Sequence, residues 1–227
     1  MVMRAATALL LLLGASLASA MNVAAPSRTT TRIGGVTVAE LGDKTHNAFG
    51  NDSTGTRIWD AGRLLSGLLE ERDLSGKSVL ECGSGTGVGG LTAAASGAAS
   101  VVLTDGASAT LPLLEENVAA NSVADRAQTC RLRWGDEDDM AEVAALGPYD
   151  LIIGSDLLYA PEAFPDLLET LAELCTPDHT EVLLTYPVRQ TEGIFLEMAL
   201  SEYGFEQPEW EEEVEPSLWA AKLVLRA

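Results

Sequence analysis

The chain reads as a doubly wound α/β domain whose mostly parallel, seven-stranded sheet ends in an antiparallel hairpin. Three observations predict this. Short apolar runs of strand length alternate with longer segments of helical apolar spacing from residue 59 onward. The first of those runs breaks into a glycine-rich loop, Gly83 to Gly90, that opens a helix. The last two runs follow each other with no helical segment between them.

The elements follow in order. Ile33 to Leu41 alternates weakly and suits a small hairpin or extended cover. Ala61, Leu64, Leu65, Leu68 and Leu69 place a helix over Trp59 to Arg72. Asp73 to Lys77 is a turn, and Ser78 to Cys82 is a buried strand. Beyond the glycine loop and its Ala-rich helix, Ser100 to Thr104 is the second core strand, closed by Asp105-Gly106. Leu111 to Val123 is a helix carrying Asn117 and Asn121 on one side, where both read as structural. Gln128 to Leu132, Tyr149 to Gly154 and Glu181 to Tyr186 are the next strands. They are separated by helices over Glu137 to Leu146 and Phe164 to Cys175, and another helix spans Thr191 to Tyr203. Glu209–Val214 and Leu218–Leu225 form the closing hairpin.

With 227 residues, 47% of them hydrophobic, one α/β core accounts for the chain. The sequence divides into a leader at 1–20, a second leader-like segment at 21–32 and a domain at 33–227. Arg4, the leucine run to Leu13 and the small-x-small Ala18-Ser19-Ala20 form a signal-peptide pattern, too short for a membrane span. The Ser-, Thr- and Arg-rich tract that follows holds no acidic residue before Glu40 and resembles a transit peptide. Together they predict the secretory route, with a plastid as onward destination. Met21 as the start of a cytosolic protein is the alternative.

Fourteen basic residues against 34 acidic ones give a formal charge of -20. Such a surface repels nucleic acid, whose binding rests on Lys and Arg contacts to phosphate. The mature chain is expected to be a monomer without membrane insertion. Cys82, Cys130 and Cys175 form no C-x-x-C pair, and His46 and His179 are isolated, so no metal site is predicted.

Chemistry concentrates in Glu81-Cys82-Gly83-Ser84-Gly85-Thr86-Gly87, at a strand-to-helix junction. Glycine there admits positive φ and close approach of a ligand, and the helix N-terminus offers N–H groups to an anion. Asp105, ending the next strand, suits ribose hydroxyls. Gly85-x-Gly87-x-x-Gly90 with Asp105 about 20 residues on also satisfies a nicotinamide or flavin fingerprint. Three flanking segments separate the readings: Gly55-Thr56-Arg57-Ile58-Trp59-Asp60-Ala61-Gly62, Leu132-Arg133-Trp134-Gly135-Asp136 and Asp156-Leu157-Leu158-Tyr159.

In this combination the sequence resembles the family-16 seven-β-strand methyltransferases, a Rossmann-like group that includes lysine methyltransferases of valosin-containing protein and of heat-shock chaperones. The resemblance covers about Thr54 to Leu225, with Cys82 where leucine is usual. It implies S-adenosylmethionine as cofactor and a protein side-chain nitrogen, foremost lysine, as acceptor. It implies that Trp59 flanks the methionine end, and that Glu81, Gly83, Ser84 and Gly85 belong to the cofactor cradle. Asp105 would hold the ribose, Trp134 would pack by the adenine, and Ser155 would lie against the cofactor. Asp156 and Tyr159 would line the acceptor pocket. Read as residues alone, Trp59 and Trp134 also suit core positions, and Asp156 suits a helix N-cap. A small-metabolite methyltransferase and a catalytically silent cofactor-binding partner are the competing functions.

Overall fold

The computed structural model describes residues 27–41, 54–206, 208–215 and 217–227. The signal-peptide pattern, Met21 and His46 lie outside these residues. The chain opens with β1 (Arg28–Ile33) and β2 (Val36–Leu41), an antiparallel hairpin. Its first strand thus begins five residues before the expected Ile33 and takes in Arg28 to Arg32, which the sequence assigned to the leader-like segment. The reason is pairing: Thr29 to Arg32 find partners along Thr37 to Glu40. The hairpin's buried side, Val36 and Val38, packs on the sheet's helical cover.

There follow α1 (Asp60–Glu70), β3 (Ser78–Glu81), α2 (Val88–Ala95), β4 (Ser100–Asp105), α3 (Leu111–Ala120), β5 (Ala127–Arg131) and α4 (Glu137–Ala144). Then come β6 (Leu151–Ser155), α5 (Phe164–Leu174), β7 (Glu181–Pro187), α6 (Glu192–Glu202), β8 (Glu209–Glu215) and β9 (Leu218–Val224). The second sheet is seven-stranded, in the order β5-β4-β3-β6-β7-β9-β8. Strands β3 to β7 pair in parallel, whereas β9 runs antiparallel to both β7 and β8. The expected doubly wound sheet with its closing hairpin is therefore present.

Strand alternation explains the two layers. Leu80, Val102, Ile152, Val182 and Leu184 point to one face, against Leu167, Leu171 and Phe195 of α5 and α6. Their neighbours Val79, Val101, Leu103, Ile153 and Leu183 point to the other, against Leu65, Leu91 and Leu114 of α1, α2 and α3. Side chains that alternate at period two on a sheet buried on both sides give this near-continuous apolar signature. Cys82 and Cys175 are buried in the first cluster, and Cys130 is half-buried beside it. No helix among the described residues is long and apolar enough to cross a membrane.

The topology also places the site. From β3 the chain builds outward through β4 and β5, then returns to lay β6 on the other side of β3. Ligands of open α/β sheets bind at such a switch point, beyond the carboxyl ends of the strands.

Candidate active site

A cavity of about 470 Å³ opens at this edge. It is lined by Trp59, Gly83, Ser84, Gly85, Asp105, Trp134, Ser155, Asp156 and Tyr159. The sheet order sets their sequence across the edge: Trp134 follows β5, Asp105 ends β4, the glycine loop follows β3, and Ser155-Asp156 closes β6. Of the expected site residues, only Glu81 is not among the lining.

Glu81 is a correction. Its side chain is 1% exposed and turns under the loop, where Oε2 accepts the Gly90 N–H at 2.9 Å. It also holds the Gly89 N–H. Two donors of the first turn of α2, expected to be offered to a ligand anion, are therefore taken by this side chain of β3. Glycine is needed at both positions, because a Cβ at Gly89 or Gly90 would sit within 3 Å of the carboxylate. Burial pushes the Glu81 carboxyl up to about 7, against the pull of the Gly90 N–H.

The loop itself is drawn tight by local bonds. Gly83, Gly85 and Gly87 all have positive φ. Ser84 Oγ accepts the Thr104 N–H at 3.0 Å, and Gly85 N–H donates to Asp105 Oδ2 at 2.9 Å. Asp105 Oδ1 accepts the Ala107 N–H at 2.9 Å. Asp105 thus braces the glycine loop as well as lining the cavity. Asn117 ties the loop to the hairpin: its Nδ2 donates to Thr86 O and Ala39 O, and its Oδ1 accepts the Ala39 N–H. Asn121 grips Thr37 in the same way, so the expected structural role of both asparagines is met.

Two aromatic walls flank the loop. Trp134 is half-buried and lies 3.3 Å from where a Cβ on Gly83 would stand; glycine is required there by its φ of 60 and by Leu157, whose Cδ2 would be 2.7 Å from that Cβ. The segment is anchored by Asp139, 4% exposed, which accepts from Arg131 and from both the backbone and the guanidinium of Arg133. Arg133's side chain holds the Asp139 carboxyl well below the usual carboxylate range. Trp59, 41% exposed, donates its Nε1–H to Thr54 O at 3.1 Å, with the Arg57 guanidinium 5.7 Å over its ring. The Ile58 N–H is held by Glu40 of the hairpin at 2.8 Å.

Asp156 stands in the left-handed region, φ 58, with its N–H donated to Thr185 O at 2.8 Å. It caps no helix. The 3-10 turn Pro161–Ala163 is preceded by Ala160, and α5 starts from Ala163. Instead its Oδ1 accepts from Arg189, a residue the sequence reading did not single out. Arg57 and Thr110 were also missed, although both line the cavity. Thr110 is 0% exposed, and its hydroxyl has no hydrogen-bond partner among the described residues. An orphaned buried hydroxyl costs about 1–3 kcal/mol unless a ligand completes it.

Fold and site together define an α/β domain of the Rossmann-like class, with a glycine-loop cavity at its switch point that Asp105 and Asp156 both line. A lysine methyltransferase family model matches residues 40–202. The chain is 34% identical over 172 residues to mouse (Mus musculus) "EEF1A lysine methyltransferase 3", covering 73% of this chain and 71% of that one. It is 42% identical over 137 residues to zebrafish (Danio rerio) "Protein N-lysine methyltransferase METTL21A", covering 58% and 60%. The structure of SMU.776 complexed with SAH shares the fold, with a TM-score of 0.63 at 18% identity over 88% of this chain and 57% of that one. The chain belongs to the lysine methyltransferase family.

Proposed function

We propose that the cavity binds S-adenosylmethionine and that the chain transfers the methyl group to a lysine side chain of a protein substrate. One observation carries this. A single cavity joins the glycine loop and Asp105 to Asp156 and Tyr159, in an order across the sheet edge that matches cofactor at one end and acceptor at the other. Its volume lies in the usual range for a small-molecule site, and the Thr110 hydroxyl at its wall, without a partner among the described residues, fits a ligand rich in hydroxyl and ring-nitrogen groups.

Gly83, Ser84 and Gly85 would cradle the cofactor, Asp105 and Thr110 its ribose, Trp134 its adenine, and Trp59 and Ser155 its methionine part. When bound, S-adenosylmethionine supplies an activated sulfonium methyl. The chain's task is to orient an acceptor nitrogen on that carbon and exclude water. A lysine has a pKa near 10.4, so it must lose a proton before its lone pair is available. That proton leaves to water. Asp156 binds and orients the nitrogen rather than acting as a base, and Tyr159, 55% exposed at the rim, offers a π face and a hydroxyl. The new N–C bond forms as the S–C bond breaks, with its electron pair left on sulfur.

The test is incubation with tritiated S-adenosylmethionine and source-cell lysate, followed by mass spectrometry. Because the mouse relative bears the name of EEF1A, purified EEF1A is the first single acceptor to include. Label on a lysine Nε is expected; label confined to small metabolites, or none, overturns the reading. The same reading takes the chain as a monomer without nucleic-acid partners, supported by the charge of -20. It takes the tract ahead of β1 as a secretory or plastid leader, supported by its composition, with Arg28 to Arg32 kept in the hairpin of the domain. Fusion of that segment to a fluorescent protein checks this, and a diffuse cytosolic signal favours Met21 as the start.

A further inference from the structure

The loop after β7 forms the cavity wall next to Asp156, and two bonds fasten it there. Arg189 Nη1 donates to Asp156 Oδ1, and Thr191 Oγ1 donates to Leu158 O at 2.8 Å. The Asp156 side chain is 9% exposed and that of Arg189 35%. Arg189 is itself held from behind, its N–H donating to Glu192 Oε2 at 3.1 Å. Gln190, at φ 68, turns the chain between them.

We propose that Arg189 is a positioning residue that sets up Asp156 for the acceptor lysine. It takes Oδ1, which leaves Oδ2 to the acceptor nitrogen, and its positive charge balances the carboxylate. This rests on the lysine reading above. The charge balance matters because Asp156 alone would favour the ammonium form, which has no lone pair to react. Paired with Arg189, it presents a locally neutral group, and the positive sulfur of the cofactor then favours the free amine. The other groups that face this part of the cavity are Tyr159 on the loop of Asp156, Glu192 behind Arg189 and Arg57 ahead of α1. Asp105 and Arg133 stand further along the edge. Arg133 is already engaged by Asp139 and Asp136. Among these, Arg189 is the cation in direct contact with the acceptor carboxylate.

The experiment compares wild type, R189M, R189Q and R189K. It follows tritium transfer into the labelled lysate protein from pH 6.5 to 9.5, with S-adenosylhomocysteine affinity measured by calorimetry. R189M and R189Q lack the charge, so the rising limb of kcat moves up by about one pH unit. At pH 7 that is a loss of about tenfold, which closes as the pH is raised. The apparent KM of the acceptor stays level or falls, because an unopposed Asp156 holds the ammonium more tightly. R189K keeps the wild-type profile, and all four bind S-adenosylhomocysteine alike. R189Q and R189K carry the comparison if R189M fails to fold. A wild-type pH profile in R189M or R189Q overturns the proposal, as does an equal loss at every pH or a loss of S-adenosylhomocysteine binding. Wild type that labels no protein overturns the lysine reading instead, and this inference with it.

Discussion

Glu81 and Gly90 are joined beneath the glycine loop, the carboxylate accepting the backbone N–H at 2.9 Å inside the first turn of α2. Two of the donors that a helix terminus would ordinarily offer an anion, at Gly89 and Gly90, are thus taken by a side chain. A cofactor carboxylate there would gain from a cation. Arg57 lines the cavity beside Trp59, and its positive charge would attract such a carboxylate. R57A is expected to weaken S-adenosylhomocysteine binding by about 1.5–3 kcal/mol, the scale of a hydrogen bond to a charged group. Calorimetry checks this, and unchanged affinity would remove Arg57 from the cofactor site.

The same carboxylate sets a pH dependence of stability. Its folded value, about 7, lies above the ordinary 4.5 because burial disfavours the charge. Between those values the unfolded chain releases the proton and the folded chain keeps it. The stabilising contribution is full below about pH 4.5 and is lost as pH rises through 7, for a total of about 3 kcal/mol. E81Q cannot ionise. Urea melts should show the difference between E81Q and wild type moving in favour of E81Q across this window. A difference independent of pH would rule out ionisation of Glu81 as the cause.

Thr110 predicts a smaller, separable effect on the cofactor. T110V keeps the shape and removes the orphaned hydroxyl, whereas T110S keeps the hydroxyl. T110V is expected to weaken S-adenosylhomocysteine binding by about 1 kcal/mol, roughly fivefold, and to leave the protein no less stable. T110S should bind as wild type. Equal binding by T110V and wild type would show that the hydroxyl meets no ligand atom.

What the sequence revealed depended on whether a residue's task was local. Val79-Leu80, Val101-Val102 and Ile152-Ile153 announce a sheet buried on both faces, because their alternation is the packing. Gly83, Asp105 and Asp156 sit at strand ends, where the topology itself gathers them. Arg189 was not legible: it meets Asp156 across 33 residues, through a loop whose course no periodicity encodes. Glu81 was placed correctly on its strand but counted with the cofactor cradle, whereas its carboxylate is buried and holds the Gly90 N–H; period two says that a side chain alternates but not what it meets. The hairpin's early start at Arg28 was hidden because Thr29, Thr30 and Thr31 are polar in composition, although threonine favours strands.

The acceptor pocket yields the sharpest test, D156N. Asparagine is the right replacement because Asp156 sits at φ 58, a conformation that Asn adopts at least as readily as Asp, while alanine would add backbone strain. A capping role is already absent, since the following helical turn starts from Ala160. The amide oxygen that D156N introduces still accepts from Arg189, so the loop after β7 stays fastened. What is lost is the negative charge facing the acceptor. If Asp156 orients a lysine nitrogen, D156N raises the apparent KM and slows turnover by about tenfold to a hundredfold in combination, the scale of one charge-assisted hydrogen bond. Y159F keeps the ring at the rim and removes only the hydroxyl; the fold is untouched because the side chain is 55% exposed. It should lower transfer more modestly. Neither variant should change S-adenosylhomocysteine affinity by more than about twofold, because Asp105 and Trp134 lie beyond β3 from Asp156 and the glycine loop would meet the cofactor through its backbone. Full activity of D156N on the labelled protein substrate would take Asp156 out of the acceptor pocket and leave it as a partner of Arg189 alone.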